Sequence, residues 1–152
     1  LIANDAIEMF LLIQDNSAED SLRVALQAYA KADLQMYQNK NEEALQSFLV
    51  ILQKHKGESI EESTLFKVGK IYEEKKEYLK ALSYYQNILD NHKDGIYKDE
   101  ALFFSAEIYR QYLLDNEKAK PLYEKMVLEH PDSLYYTESR KQYRTLRGDT
   151  TI

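Results

Sequence analysis

Apolar residues recur along most of the chain at intervals of three and four positions, the spacing that places them on one face of an α-helix. The clearest stretch has apolar residues at Tyr78, Ala81, Leu82, Tyr85, Ile88 and Leu89. No segment alternates between apolar and polar residues as a half-buried β-strand would. The pattern therefore predicts an all-α protein.

The helical pattern itself repeats every 37 or 38 residues. Two residue types mark the register, histidines near segment ends and alanines inside the segments: His55, His92 and His130, and Ala44, Ala81 and Ala119. An aromatic residue follows each alanine by four positions, and a second helical run precedes each segment, over residues 25–38, 62–75 and 98–113. Short polar turns separate the two runs. This self-similarity predicts three helical hairpins.

Small residues in both helices of a hairpin indicate that the two helices approach each other closely. Ala32 lies twelve residues before Ala44, and Gly69 lies twelve residues before Ala81. A glycine inside a helix costs about 1 kcal/mol relative to alanine, so its presence there needs a reason. We expect close backbone contact across the hairpin to be that reason.

These units resemble the tetratricopeptide repeat. The second unit carries six residues of that pattern: Leu65, Val68, Gly69, Tyr72, Ala81 and Tyr85. The third keeps four and has one extra residue in its turn: Tyr109, Ala119, Tyr123 and Pro131. The first keeps Ala32, Ala44 and Phe48, with Gln35 in place of the tyrosine. None of the units has the tryptophan of the pattern.

The resemblance implies a right-handed α-α superhelix, a solenoid of three hairpins with one flanking helix at each end. We expect a single domain over residues 1–152, with an N-terminal helix over 1–16, repeats over 17–56, 57–94 and 95–132, and a capping helix over 133–148 that ends at Gly148. The N-terminal helix could equally be the second helix of an earlier repeat. Because the chain starts with Leu1, we expect it to be a piece of a longer protein.

The composition is typical of a folded domain, and it argues against some classes of binding partner. The 152 residues are 44% apolar and 30% charged, which excludes a disordered chain, and the absence of cysteine excludes disulfides. No apolar run is long enough to cross a bilayer. The net charge is −6, and an acidic body argues against nucleic-acid binding.

The excess of acidic residues is uneven along the chain. Residues 140–152 carry four basic residues against one acidic residue, a net +3, so the remainder is −9. Arg140, Arg144 and Arg147 form one stripe if this segment is helical. They could be a solvated face that complements the helix dipole, or a contact for an acidic partner.

No residue pattern indicates chemistry. The three histidines occupy equivalent positions in successive units, so we do not expect them to converge on a metal ion, and we place them at helix ends facing the terminal carbonyls. Adjacent acids such as Glu61 and Glu62 read as solvated charge, and no nucleophile elbow or phosphate-binding loop is present. We therefore predict no catalytic residue, no cofactor, no metal and no enzyme activity.

In the tetratricopeptide family the first helix of each hairpin lines the concave face, and the resemblance implies a partner-binding surface there. The candidate residues on these helices are Tyr29, Asp33, Met36, Tyr37, Phe66, Lys70, Glu73, Phe103, Glu107 and Arg110. An aromatic ladder flanked by mixed charge suits a bound peptide or helix. Alternatively, the aromatic residues pack between neighbouring hairpins. The basic clamp that some family members use for a C-terminal carboxylate is not expected, because Lys70 alone fits it.

We therefore predict a scaffold or adaptor module that binds a protein or peptide, with self-association possible. Two alternatives remain, a structural section of a longer helical array and a regulatory appendage of an enzyme. The junctions between units, such as His130-Pro131-Asp132, are similar to those of envelope-associated tetratricopeptide lipoproteins and Tol-Pal-linked proteins, which favours the bacterial periplasm or cell envelope without excluding the cytoplasm.

Overall fold

The computed structural model describes residues 5–9 and 20–149, and every regular element in these ranges is helical, which confirms the predicted all-α class. Residues 5–9 are one helical segment. The longer helices are α1 (Asp20–Tyr37), α2 (Asn41–Lys54), α3 (Glu61–Glu74), α4 (Tyr78–Asn91), α5 (Lys98–Glu107), α6 (Asn116–Glu129) and α7 (Tyr136–Arg147). Most of the predicted N-terminal helix over 1–16 lies outside the described residues.

The chain divides into two compact units between Ile71 and Tyr72. The first contains α1, α2 and most of α3. The second contains the last turn of α3 together with α4, α5, α6 and α7. Each unit has its own set of buried apolar residues.

The first unit is built on the close packing of α1 against α2. Ala32 on α1 and Ala44 on α2 are both fully buried, as the sequence predicts for small residues at a close approach. The aromatic ring one turn beyond Ala44, that of Phe48, is also fully buried and meets Tyr29 edge to face at 5.5 Å between centroids. The hairpin interior is therefore two small residues backed by two rings.

The second unit repeats this arrangement and closes it with α7. Ala106 on α5 and Ala119 on α6 form a buried cluster with Tyr123. Tyr143 and Leu146 of α7 pack against the same cluster, so α7 covers the third hairpin. This helix begins at Tyr136, three residues later than expected, because residues before it form a turn in which Tyr136 N–H donates to Ser133 O at 3.1 Å.

The turns inside the first two hairpins are the same. Asn39 and Lys76 both adopt a left-handed conformation with φ 61°. The next residue closes each turn through its backbone N–H, Lys40 to Gln35 O and Glu77 to Tyr72 O, each at 2.9 Å. This is the Schellman arrangement that ends a helix by satisfying its last carbonyls. The C-terminal end of α7 uses it as well, with Gly148 at φ 90°.

The third hairpin accommodates its extra residue differently from the prediction. The insertion is taken up at the end of the first helix, where residues Ile108–Tyr112 form a π-helical turn, rather than in the turn between helices. Leu113 N–H donates to Ile108 O at 3.1 Å, and Asp115 N–H reaches back to Tyr109 O at 2.8 Å. A π-helical turn holds one residue more than an α-helical turn, so the register before it is unchanged.

The three histidines are the C-cap residues of α2, α4 and α6, and each backbone N–H donates to the carbonyl four residues earlier. From the sequence, their rings are expected to face the terminal carbonyls of the helices, and for two of the three rings this expectation is wrong. His55 pairs with the Glu58 carboxylate at 3.0 Å, and His130 pairs with the Asp99 carboxylate at 3.1 Å. These two rings face carboxylates, not the terminal carbonyls.

Candidate functional site

Two of the candidate residues in the first unit are engaged in its structure. The ring of Tyr29 is only 4% exposed and packs against Phe48, so it belongs to the interior. The carboxylate of Asp33 on α1 forms an ion pair with Lys67 on α3, with 2.8 Å between Oδ1 and Nζ. This ion pair brings the first helices of the first two hairpins together.

Four other candidates lie within one helical turn of that ion pair on their own helices. Tyr37 is 59% exposed, whereas Met36, Phe66 and Lys70 are half-buried. These four residues, Met36, Tyr37, Phe66 and Lys70, are called the first-unit surface below. They place an exposed phenol, a thioether, a phenyl ring and an ammonium group on α1 and α3.

In the second unit, the half-buried ring of Phe103 packs against its neighbours. Its ring stacks on Tyr135 at 4.6 Å between centroids and meets Tyr123 at 6.4 Å in an edge-on arrangement. Tyr135 is the N-cap residue of α7. The ring of Phe103 therefore joins the third hairpin to the capping helix, which is the packing alternative raised by the sequence.

Glu107 and Arg110 form a hydrogen-bonded network with a buried tyrosine. The hydroxyl of Tyr123 donates to Glu107 Oε1 at 2.6 Å and accepts from Arg110 Nε at 3.0 Å. Arg110 also pairs with Glu107 Oε2 at 2.7 Å. Burial, followed by the hydrogen bond to Glu107, raises the pKa of the Tyr123 hydroxyl well above its usual range. These two charged groups thus hold the hydroxyl of a core residue.

Glu73 has the equivalent task in the second hairpin. The hydroxyl of Tyr85 donates to Glu73 Oε2 at 2.7 Å. Burial and the Glu73 carboxylate both raise the pKa of this hydroxyl. In the first hairpin the equivalent aromatic residue is Phe48, and the position equivalent to Glu73 is Met36, so no such bond is needed there.

The role of these buried hydroxyls was missed at the level of sequence, although a signal for them exists. Tyr85 and Tyr123 occupy the aromatic position four residues after the repeat alanine, and a charged residue stands twelve or thirteen positions earlier in each case. Where phenylalanine occupies that position, the earlier residue is methionine. This covariation inside one chain pairs the hydroxyl with its partner.

No group of three metal-ligating side chains is gathered anywhere within residues 5–9 and 20–149. In the same ranges, no helix has the length together with the apolar character that spanning a membrane requires.

The geometry defines an all-α protein of helical hairpins with small residues and a ring at equivalent buried positions. A family model described as tetratricopeptide repeat matches residues 63–95 and 100–133. The chain is also similar to the crystal structure of a tetratricopeptide repeat protein from Parabacteroides merdae ATCC 43184, with a TM-score of 0.67 and 22% sequence identity. That match covers 97% of this chain and 54% of the other. No curated protein sequence matches significantly.

Residues 63–95 and 100–133 are therefore similar to tetratricopeptide repeats, and the helical fold of the described residues is the one that the sequence predicts. The matched residues cover the second and third hairpins. The first hairpin lies outside them, but it has the same turn and the same buried alanine. Tetratricopeptide repeats generally mediate protein–protein interaction, and proteins that carry them are typically non-enzymatic scaffolds.

Proposed function

We propose that this chain is a protein-interaction module that holds a peptide segment of a partner on the first-unit surface. The observation that carries the proposal is the 59% exposure of Tyr37 beside half-buried Met36, on a helix fixed to its neighbour by the Asp33–Lys67 ion pair. Tyrosine provides a large contact area at a low cost in conformational entropy, and it is enriched where binding energy concentrates.

The first unit is the better candidate because it offers the exposed ring of Tyr37, whereas the candidate side chains of the second unit already stabilise its fold. In the second unit Phe103 stacks on Tyr135, and Glu107 and Arg110 hold the hydroxyl of Tyr123. A partner that used these groups would have to break contacts that stabilise the fold. A surface on rigid helices also loses little entropy on binding, which favours affinity.

A display experiment tests this proposal. The purified chain is used to select peptides from a random phage-displayed library, and the affinities of the selected peptides are measured by fluorescence anisotropy. We expect Tyr37→Ala to weaken binding by about tenfold or more, as loss of a central aromatic anchor does.

Val24→Ala is the matched control, since Val24 lies on the same helix and is similarly exposed, at 56%. It should leave affinity unchanged, and both variants should keep the helicity of the parent. Equal binding by the parent and Tyr37→Ala, or failure of the chain to select any peptide, would contradict the proposal.

A second candidate function is a structural section of a longer helical array. It is supported by the match to the Parabacteroides merdae protein, of which this chain covers 54%. In that case, a longer protein that includes the sequence on either side of this chain should show a higher unfolding free energy for residues 20–149. Light scattering on the same two proteins then shows whether end-to-end self-association contributes. The regulatory-appendage alternative and the envelope location stay predictions.

A further inference from the structure

Helix α7 has the place in the repeat order that the first helix of a fourth hairpin would have. Its N-cap residue Tyr135 accepts from Ser139 N–H at 3.0 Å, and the N-cap residue Tyr97 of α5 accepts from Ala101 N–H at 2.9 Å. The 38-residue shift between these two bonds aligns the two helices position by position. Ser139 is buried, as Ala101 is.

This alignment places arginine at positions where the hairpins have small or apolar side chains. Arg140 is the counterpart of Leu102, and Arg144 is the counterpart of Ala106. Leu102 and Ala106 are buried in the third hairpin, and Ala106 packs with Ala119 of the second helix. A guanidinium group at that position excludes the close approach by which a tetratricopeptide second helix packs.

The same face of α7 already binds a carboxylate. Arg144 and Arg147 both form ion pairs with Asp149, just after the helix. The hydrogen bond from Arg147 lowers the pKa of the Asp149 carboxyl, so the carboxylate is the form that this face holds. Arg140 and the adjacent Lys141 are exposed, and no acidic side chain within the described part of the chain pairs with them.

These cations border a shallow depression of about 230 Å³ along α7, which is lined by Tyr136, Thr137, Arg140, Lys141 and Arg144. The apolar stems of long basic side chains can cover a packed helix while the charged heads reach its carboxylates. The depression thus combines apolar contact with positive charge on a single helix face.

We propose that this basic face of α7, formed by Arg140, Lys141 and Arg144, binds an acidic helical segment of another protein. The segment lies along α7, on the side where the hairpins place their second helix. We expect the bound segment to be acidic because of the charge of this face. Residues 140–152 carry +3, and two cations of the face have no acidic partner among the described residues. Nucleic acid is disfavoured, since the rest of the chain carries −9 and repels phosphates.

The test uses a defined peptide and two matched double variants. The probe is a fluorescein-labelled alanine-based helix of about 20 residues with glutamates at every fourth position, so that they share one face. Arg140→Gln/Lys141→Gln removes two charges from the face. The control variant Lys54→Gln/Lys93→Gln also removes two positive charges, from exposed lysines outside this face. Anisotropy gives the dissociation constants.

We expect the parent and the Lys54→Gln/Lys93→Gln variant to bind alike, and Arg140→Gln/Lys141→Gln to bind about tenfold more weakly. Affinity should fall as salt rises from about 50 to 200 mM. Tyr37→Ala should have no effect, because Tyr37 is not among the residues that form this face.

Three results would overturn the proposal. The first is no binding at a peptide concentration of about 1 mM. The second is equal binding of a peptide with the same glutamates scattered around the helix. The third is self-association of the parent that Arg140→Gln/Lys141→Gln abolishes in sedimentation, which would make a second copy the occupant.

Discussion

The first and third hairpins are built on the same buried register but end their first helices differently. Both bury an alanine in the second helix, Ala44 and Ala119, followed one turn later by a buried ring. In the first hairpin, α1 ends in a compact Schellman turn. In the third, α5 runs on into a π-helical turn over Ile108–Tyr112.

This difference shows where a repeat tolerates an insertion. An extra residue within the hairpin interior would rotate every later side chain by about 100° on the helix and expose the packed face. At the end of the first helix, the insertion costs one widened turn. The 38-residue spacing between the second and third alanines is therefore compatible with the same packing.

The second difference is chemical. The ring in the first hairpin is Phe48, whereas Tyr123 in the third brings a hydroxyl into the interior. That hydroxyl recruits Glu107 and Arg110, residues that the sequence alone offers as binding groups. Where the buried ring is tyrosine rather than phenylalanine, nearby charged side chains therefore stabilise the fold by hydrogen-bonding to its hydroxyl.

The largest expected effect comes from removing the rings themselves. Phe48→Ala and Tyr123→Ala should each lower the free energy of unfolding by about 3–5 kcal/mol, because both rings are fully buried. Urea titrations followed by circular dichroism measure this. Tyr37→Ala is the exposed control and should change the free energy by less than about 0.5 kcal/mol. A small effect at either buried ring would show that the two interiors are not equivalent.

Moving the hydroxyl into the first hairpin sharpens the comparison. Phe48→Tyr should destabilise the chain by about 1–3 kcal/mol, because Met36 stands twelve positions before it, whereas the buried hydroxyl of Tyr85 has Glu73 at that spacing. The double variant Phe48→Tyr/Met36→Glu should recover much of that loss by recreating the Tyr85–Glu73 bond. If the second substitution gives no recovery in the same urea assay, the positional equivalence of Met36 and Glu73 is wrong.

Alkaline pH should affect the hairpins unequally. The pKa values of Tyr85 and Tyr123 are raised in the folded chain, so both stay protonated at pH values where an unfolded tyrosine, with a pKa near 10, ionises. The contribution of these two hydroxyls to the free energy of unfolding is present below about pH 10. It is lost as pH rises further, by about 1.4 kcal/mol per tyrosine per pH unit.

Comparing unfolding free energies at about pH 8 and pH 11 measures this loss. The variant Tyr85→Phe/Tyr123→Phe should show a smaller decrease than the parent, whereas Tyr37→Phe should follow the parent. An identical decrease in all three proteins would contradict the assignment.

The smallest expected effect is at the left-handed turn residues. Leu114 has φ 52° and an exposed side chain, so Leu114→Gly relieves backbone strain without losing packing and should stabilise the chain by about 0.5–1 kcal/mol. Asn39→Gly should have less effect, since asparagine tolerates this conformation. Thermal unfolding of the two variants measures which substitution stabilises the chain more. A larger stabilisation by Asn39→Gly than by Leu114→Gly would contradict this prediction.

The helical class, the hairpins and the buried alanines could all be predicted, because burial leaves a periodic apolar pattern in the sequence. The π-helical turn could not, since hydrophobic spacing records that a residue is inserted but not which backbone bonds absorb it. The binding role of the candidate residues stays a prediction. Tyr29, Phe66 and Phe103 share one repeat position, yet Tyr29 is buried whereas the other two rings are half-buried, and periodicity alone does not distinguish these cases.

The central claim is that the three repeat alanines occupy equivalent, closely packed interiors. Introducing one leucine at a time, as Ala44→Leu, Ala81→Leu and Ala119→Leu, and measuring each unfolding free energy in urea tests it most directly. All three side chains are fully buried, so each substitution should destabilise the chain by about 1–3 kcal/mol through overpacking. If any one of the three is tolerated at no cost, that alanine does not lie in the shared register, and the three hairpins do not share one packing arrangement.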